Sequence, residues 1–186
     1  PVGRHRRRVE GRVLDRVAHG AHELLAAAAD LQTTIALLEL GADPNHPGGE
    51  GQTALMLAAE AGRRDIVEEL RHWGAKLEAA DREGRTALTR AAEKGDGDGL
   101  RLLLSLGVNI NATDSRGVTP LMAAAGDPST VKLLLKLGAE VDAETPTGET
   151  ALTYAARSGS IESIETLLDA GANVNARNDV GTTPLM

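Results

Sequence analysis

Apolar residues recur along the chain in pairs of short stretches, and each stretch has the spacing of one helix face. In residues 51–83, Leu55 and Ala59 form the first stretch, and Ile66 and Leu70 form the second. An interval of four residues places side chains on the same side of an α-helix, whereas a strand alternates with a period of two. The pattern therefore predicts two short antiparallel amphipathic helices, followed by a turn-rich connector that leads to the next pair.

Glycines mark this two-helix pattern at a nearly constant interval. Successive members of the series are separated by 33, 33, 31 and 33 residues: Gly41, Gly74, Gly107, Gly138 and Gly171. A second glycine series that begins at Gly51 and a threonine series that begins at Thr53 have the same four intervals. A fixed period of this size predicts an all-α repeat solenoid of stacked helix pairs rather than a single globular core.

Two sets of short motifs identify the repeat. The first helices begin with the strings TALMLAA (53–59), TALTRAA (86–92), TPLMAAA (119–125) and TALTYAA (150–156). The second helices end with LLELGADPN (37–45), LLSLGVNIN (103–111), LLKLGAEVD (134–142) and LLDAGANVN (167–175). Both sets resemble ankyrin repeats, and the resemblance covers residues 21–186, in five repeats and the start of a sixth at Thr183.

The resemblance carries expectations about fold and function. It implies paired antiparallel helices joined by β-hairpin finger loops, with the first helices lining a concave palm. It also implies a scaffold for protein–protein interaction that binds a partner protein through the fingers and the palm, without catalysis and without a cofactor. The identity of the partner is beyond what the sequence defines.

The charge is distributed unevenly along the chain. Residues 1–16 contain six arginines and two acidic residues, a formal charge of +4, although the whole chain carries −7. We therefore divide the chain into a basic N-terminal arm or linker, residues 1–20, and the repeat domain, residues 21–186. The acidic repeat domain argues against a nucleic-acid partner, because phosphates require a basic face.

The fourth repeat is two residues shorter than its neighbours. The threonine series loses its two residues after Thr119, and a third glycine series, Gly62, Gly95, Gly126 and Gly159, loses them before Gly126. The deletion therefore lies between Thr119 and Gly126, in the turn that joins the two helices. Asp127 and Pro128 follow as a helix cap and a first-turn proline, which predicts that the second helix still begins normally. Two interpretations stay open: a notch that admits a partner, and the neutral trimming of a surface turn.

The candidate metal and catalytic motifs are incomplete. Residues 96–99 have the acidic start of a calcium loop, but Leu100 and Gly107 occupy positions where that loop needs oxygen ligands. His19 and His22 lie one helical turn apart without a third ligand nearby. The chain contains no cysteine, which excludes disulfides and thiol chemistry. We therefore predict no enzyme, no metal and no cofactor.

Ten residues at the predicted connectors and at the ends of the first helices are candidate contacts for a partner protein. The connector positions are Gln52, Arg82, Arg85, Arg116, Val118 and Glu149, and the helix-end positions are Glu60, Glu93, Lys94 and Arg157. Arginine is enriched in the energetically dominant part of interfaces, so Arg82, Arg85 and Arg116 are the preferred anchors. An ordinary solvated surface would have the same composition, so this alternative stays open.

Further alternatives concern the context of the chain. The basic arm and the stop at Met186, four residues into a repeat, are consistent with a regulatory or targeting segment of a larger enzyme or secreted effector. An uncapped C-terminal repeat also favours end-to-end self-association. No apolar stretch approaches the length of about 20 residues that spans a bilayer. We expect no membrane insertion and, with no signal segment visible, a cytoplasmic location.

Overall fold

The structure, a computed structural model, describes residues 30–183. This region is helical, and its helices are α1 (Leu31–Glu39), α2 (Ala54–Glu60), α3 (Arg64–His72), α4 (Ala87–Glu93), α5 (Gly97–Ser105), α6 (Pro120–Ala123), α7 (Pro128–Lys136), α8 (Ala151–Ser158) and α9 (Ile161–Asp169). The proposed basic arm, the first helix of the first repeat, and His19 and His22 lie outside the described residues.

Threonines begin the first helices of the second to fifth repeats, as their fixed spacing predicts. The backbone N–H groups in the first turn of a helix lack intrahelical partners, and a side-chain oxygen just before the helix accepts from them. The Oγ1 atoms of Thr53, Thr86 and Thr119 accept from the N–H three residues on, at 3.4, 3.4 and 3.2 Å. In the fifth repeat the Thr150 N–H instead donates to Thr153 Oγ1, at 3.3 Å.

The described chain divides into two compact units, the first ending at Asp81 and the second beginning at Arg82. In the first unit α3 packs against α2 and α1. In the second unit the first helices stack in the order α4, α6, α8, and each contacts the second helix of its own repeat, α5, α7 or α9. The interior of the second unit is built from fully buried aliphatic side chains, which include Leu103, Leu121, Leu134 and Leu152.

Each connector in the second unit ends in a tight turn of five residues. In the turn at 114–118 the Gly117 N–H donates to Asp114 O, and the Asp114 N–H donates to Val118 O, both at 3.0 Å. The turns at 145–149 and 178–182 are closed by the same two hydrogen bonds. A glycine with positive φ occupies the fourth position of each turn, where other residues are strained.

The expected β-hairpin finger loops are not confirmed, because no strand is present among residues 30–183. Neighbouring turns are joined by too few backbone hydrogen bonds to form a ladder. Ser115 N–H donates to Glu83 O at 3.1 Å, and Asp179 N–H donates to Thr147 O at 3.0 Å. Between these two bonds the equivalent position is Pro146, which has no N–H to donate.

The deletion in the fourth repeat shortens its first helix. α6 has four residues, whereas α4 has seven and α8 has eight. The second helix, α7, is unaffected and begins at Pro128 with Asp127 as its N-cap, as predicted. The Asp127 carboxylate accepts from the backbone N–H groups of Ser129 and Thr130, both at 3.3 Å.

The Asp127 cap predicts a stability difference that depends on pH. Hydrogen bonds from Thr130, and then from Ser129, hold the pKa of the Asp127 carboxyl below its ordinary value of 3.8, although partial burial opposes them. A lowered folded-state pKa stabilises the protein above the pKa of the unfolded chain, and this contribution is lost as the pH falls through the folded-state value.

We therefore expect Asp127→Ala to lower the free energy of unfolding by about 1 kcal/mol at neutral pH. The difference from wild type should shrink progressively once the pH falls below about 4. Urea unfolding followed by circular dichroism over this pH range measures it. Asp127→Asn keeps an acceptor without a titrating charge and serves as the control. A loss in Asp127→Ala that stays constant down to acidic pH would contradict the explanation.

Candidate functional site

The first unit contains two of the predicted contact residues, and both are half-buried. Gln52 follows the turn at 48–52, and its Nε2 atom donates to Glu50 Oε2 at 2.9 Å. Glu60 is the last residue of α2. Neither position brings an aromatic or arginine side chain to the surface. The first unit therefore offers the weaker part of the predicted contact set.

The second unit contains the other eight residues, and it pairs four of them with each other. Arg85 Nη1 lies 3.4 Å from Glu93 Oε2, and it is at the same distance from Glu83 Oε2. In the fifth repeat the Arg157 guanidinium contacts the Glu149 carboxylate. In both repeats the partners are eight residues apart, and the pair joins the last residue of the turn to the end of the first helix. The arginine is on the turn in the Arg85–Glu93 pair and on the helix in the Glu149–Arg157 pair.

The truncated fourth repeat lacks this ion pair. Val118 occupies the position of Arg85, and the deletion leaves only Ala124 and Ala125 before Gly126, in the region where α4 ends in Glu93, so no charged side chain is present at either end. Val118 is only 3% exposed, because its backbone is bound on both sides to Asp114 and its side chain faces the interior. The expectation that Val118 is an exposed contact residue is therefore wrong.

Arg82 and Lys94 are exposed at the edges of the second unit. Arg82 belongs to the connector that precedes α4 and makes no ion pair with any residue between 30 and 183. Lys94 is the C-cap residue of α4. Both cations are accessible, but neither is held in place by the contacts that fix Arg116.

Arg116 is fixed by a buried carboxylate. The Asp114 side chain is fully buried, and its Oδ2 atom lies 2.8 Å from Nη2 and 3.1 Å from Nε of Arg116, whose side chain is 64% exposed. Its Oδ1 atom accepts from the backbone N–H groups of Arg116 and Val118, at 2.8 and 2.9 Å. The Asp114 carboxylate raises the pKa of the Arg116 guanidinium above its usual range. Asp114 thus shapes the turn and orients the arginine.

Asp114→Ala should lower the free energy of unfolding by about 2–3 kcal/mol, because it removes the acceptor of two backbone N–H groups, one of them buried. Asp114→Asn should cost about 1 kcal/mol, because its side-chain oxygen still accepts from the backbone and only the contact with the Arg116 guanidinium, which is 64% exposed, is lost. Urea unfolding of both variants makes the comparison. Equal losses would show that the carboxylate charge, rather than the turn, matters most.

Tyr154 contacts Arg157 through its ring and lies within electrostatic range of Arg116. It lies on α8, half-buried, with the guanidinium carbon of Arg157 located 5.3 Å from its ring centroid, within cation–π range. Burial, followed by the charge of Glu149, raises the pKa of its hydroxyl, while the charge of Arg116 acts in the opposite direction. Within the described chain this hydroxyl has no hydrogen-bond partner.

We call Arg116, Tyr154 and Arg157, with the carboxylates Asp114 and Glu149, the Arg–Tyr cluster. Its two cations and two anions balance, so the cluster is locally neutral although the chain is acidic. The sequence-based contact set contains Arg116, Glu149 and Arg157 but omits Tyr154 and Asp114. The sequence does distinguish Tyr154. The equivalent residues in the other first helices are Leu57, Arg90 and Ala123, so Tyr154 is the one aromatic residue at this helix position.

Other kinds of site find no support in the described part of the chain. Residues 30–183 contain no group of three or more His, Cys, Asp or Glu side chains arranged to hold a metal ion. No helix in this range has both the length and the apolar character needed to cross a bilayer.

Comparison with known families agrees with the architecture. A family model described as ankyrin repeats, in three copies, matches residues 24–114 and again residues 106–178. The chain belongs to the ankyrin repeat family. Ankyrin repeats are generally protein-interaction modules and typically not enzymes, so the family indicates a protein as the class of partner. A comparison with curated proteins gives no match.

Proposed function

We propose that this protein is an interaction scaffold that binds a partner protein through the connector turns and the first-helix face of its second unit, with the Arg–Tyr cluster at the centre. The observation that carries the proposal is Tyr154: a half-buried aromatic ring, beside a guanidinium, with a hydroxyl that no described residue uses. Tyrosine and arginine dominate the binding energy of interfaces because they combine apolar area with hydrogen-bonding groups.

The other charged candidates of the second unit, Arg82, Arg85, Glu93 and Lys94, form the periphery of the proposed surface. The Arg85–Glu93 pair among them is partly exposed, with side chains 20% and 33% exposed, and contributes little to stability. Their expected role is to exclude water around the cluster and to steer the encounter. Individual substitutions there should change affinity much less than a change at Tyr154.

The experiment is a crosslinked capture from native lysate with mass spectrometry, performed with wild type, Tyr154→Ala and Lys136→Ala. Lys136 lies exposed on the second helix α7, so Lys136→Ala is a surface control away from the cluster. We expect one protein to be captured by wild type and Lys136→Ala and lost with Tyr154→Ala. A partner captured equally by all three proteins would contradict the role of the cluster.

Self-association is a second candidate interaction, and one observation favours it. In the fifth repeat the large apolar side chains of Ile161, Leu168, Val174 and Val180 are exposed. A second copy stacked on these residues would remove them from water. Light scattering over a wide concentration range tests this: a mass that rises to twice the monomer supports it, and a constant monomer mass excludes it. The alternative of a segment of a larger enzyme or effector gains no support from the described residues.

A further inference from the structure

We propose that the Arg–Tyr cluster recognises a carboxylate side chain in an acidic segment of the partner protein. This inference rests on the proposed function and specifies its chemistry. It follows from three properties of the cluster: the hydrogen-bond donors that remain uncommitted, the way the arginines are held, and the space created by the truncated helix α6.

Several N–H and O–H groups of the cluster make no hydrogen bond with the described part of the chain. A guanidinium has five N–H donors, of which Nη1 carries two. Arg116 uses Nε and Nη2 on Asp114, and its Nη1 makes no hydrogen bond with any residue of the described chain. Arg157 contacts Glu149 through Nη2 and is 60% exposed. Together with the free hydroxyl of Tyr154, these groups offer donors to an incoming oxygen atom.

Most acceptors of the cluster are already used. The Asp114 side chain is fully buried and accepts four hydrogen bonds, two from backbone N–H groups and two from Arg116. The Glu149 side chain is 19% exposed, and its Oε1 atom is occupied by Arg157. A partner lysine or arginine would therefore meet two guanidiniums and, as a charged acceptor, only the second oxygen of this mostly buried carboxylate, whereas an aspartate or glutamate would meet the remaining donors of Arg116, Arg157 and Tyr154. The arrangement selects against a basic segment as well as for an acidic one.

The arginines are held before the partner arrives. Long cationic side chains lose rotamer freedom when they bind, and this loss weakens the complex. Here Asp114 holds Arg116 through two of its nitrogens, and Arg157 is held by Glu149 and lies over the ring of Tyr154. The entropy loss on binding is therefore reduced, and a charge-assisted hydrogen bond to a carboxylate retains more of its strength.

The truncated repeat leaves room beside Tyr154. α6 lies between α4 and α8 in the stack of first helices. At the position of Tyr154 it has Ala123, and the deletion leaves no charged counterpart of Arg157. The repeat continues with Ala124, Ala125 and Gly126, and a Cβ added at Gly126 would find only Ser158 Cβ, at an ordinary distance of 3.8 Å. No side chain longer than a methyl group fills this part of the face. An extended peptide can therefore approach the ring and both guanidiniums from the side of α6.

The test is a selection of peptides from a random phage-displayed library on the full chain, retaining those that bind wild type but not Tyr154→Ala. We expect Asp or Glu to be enriched at one fixed position. Changing that residue to Asn or Gln in the synthetic peptide should weaken binding about tenfold or more, because charge-assisted hydrogen bonds are lost. Changing it to Lys should weaken binding further, and added salt should reduce the difference.

The outcomes separate this inference from the proposed function. Peptides that require Tyr154 but contain no acidic residue, or that tolerate the change to Gln, would overturn the inference and leave the binding surface in place. A requirement for phosphoserine instead of Glu would also overturn it. If the library yields no peptide that depends on Tyr154, both the inference and the proposed function fail. Thermal unfolding of Tyr154→Ala beside wild type verifies that lost binding does not reflect an unfolded protein.

Discussion

Replacing Gly84 with alanine is expected to destabilise the protein by about 3 kcal/mol or more. Gly84 has a φ of +79°, a conformation that alanine adopts only with strain. A Cβ at this position would also clash with the backbone nitrogen of Ser115 and lie 3.1 Å from the carbonyl carbon of Asp114. Backbone atoms cannot move aside as a side chain can, and the nitrogen in question donates to Glu83 O.

Gly107→Ala is the matched control for this effect. Gly107 has a similar φ of +88°, but a Cβ there would meet nothing within 4 Å. Its expected loss is the conformational strain alone, about 1–2 kcal/mol. Urea unfolding of the two variants beside wild type measures both losses. Equal losses would show that the close approach of the two turns contributes nothing to stability.

Leu134→Ala is expected to lower the free energy of unfolding by about 3–4 kcal/mol, because it removes a fully buried side chain and leaves a cavity. Leu134 is 0% exposed on α7, a helix that packs against both α6 and α9. The chain has no phenylalanine, so its core side chains are small and aliphatic. Such side chains cannot extend far enough to fill the cavity.

The control for Leu134 is Leu137, three residues further on and 43% exposed. Leu137→Ala removes the same atoms from a position that water already reaches, so its loss should be about 1 kcal/mol or less. Guanidinium unfolding monitored by circular dichroism gives both values. Similar losses at the two positions would contradict the assignment of Leu134 to the core of the second unit.

The sequence predicted the repeat architecture well because the same requirement recurs in every repeat. The signals are local ones: a threonine before the first helix, an aspartate or serine before several second helices, and a glycine at each turn. In the fourth repeat Thr119 and Asp127 are the N-caps of their helices, and Gly117 has the positive φ of its turn. The position of the deletion was also visible, since the register of two series changes between Thr119 and Gly126.

The candidate site was predicted less well, because contacts between repeats decide which charges are available. Sequence position alone placed Val118 and Arg116 together among the connector candidates, but the backbone of Val118 is bound to Asp114 and its side chain turns inward. The pairing of Glu149 with Arg157 joins residues that the sequence treats as separate contacts. The same reasoning missed Tyr154, whose importance comes from Arg157 above its ring.

The expectation of β-hairpin finger loops is not confirmed, for a comparable reason. A ladder between neighbouring connectors requires an N–H donor in every turn, and Pro146 removes one of them. Pro146 is nevertheless packed closely, since its ring would clash with a Cβ added at Gly117. Successive turns in this protein are therefore held by side-chain packing and single hydrogen bonds.

The most direct test of the central claim is a calorimetric titration of the captured partner protein into wild type, Tyr154→Ala and Lys136→Ala. We expect Tyr154→Ala to raise the Kd about 30-fold or more, the loss expected at a dominant interface residue, and Lys136→Ala to bind like wild type. Equal affinities for wild type and Tyr154→Ala, with both proteins folded, would contradict binding at the Arg–Tyr cluster.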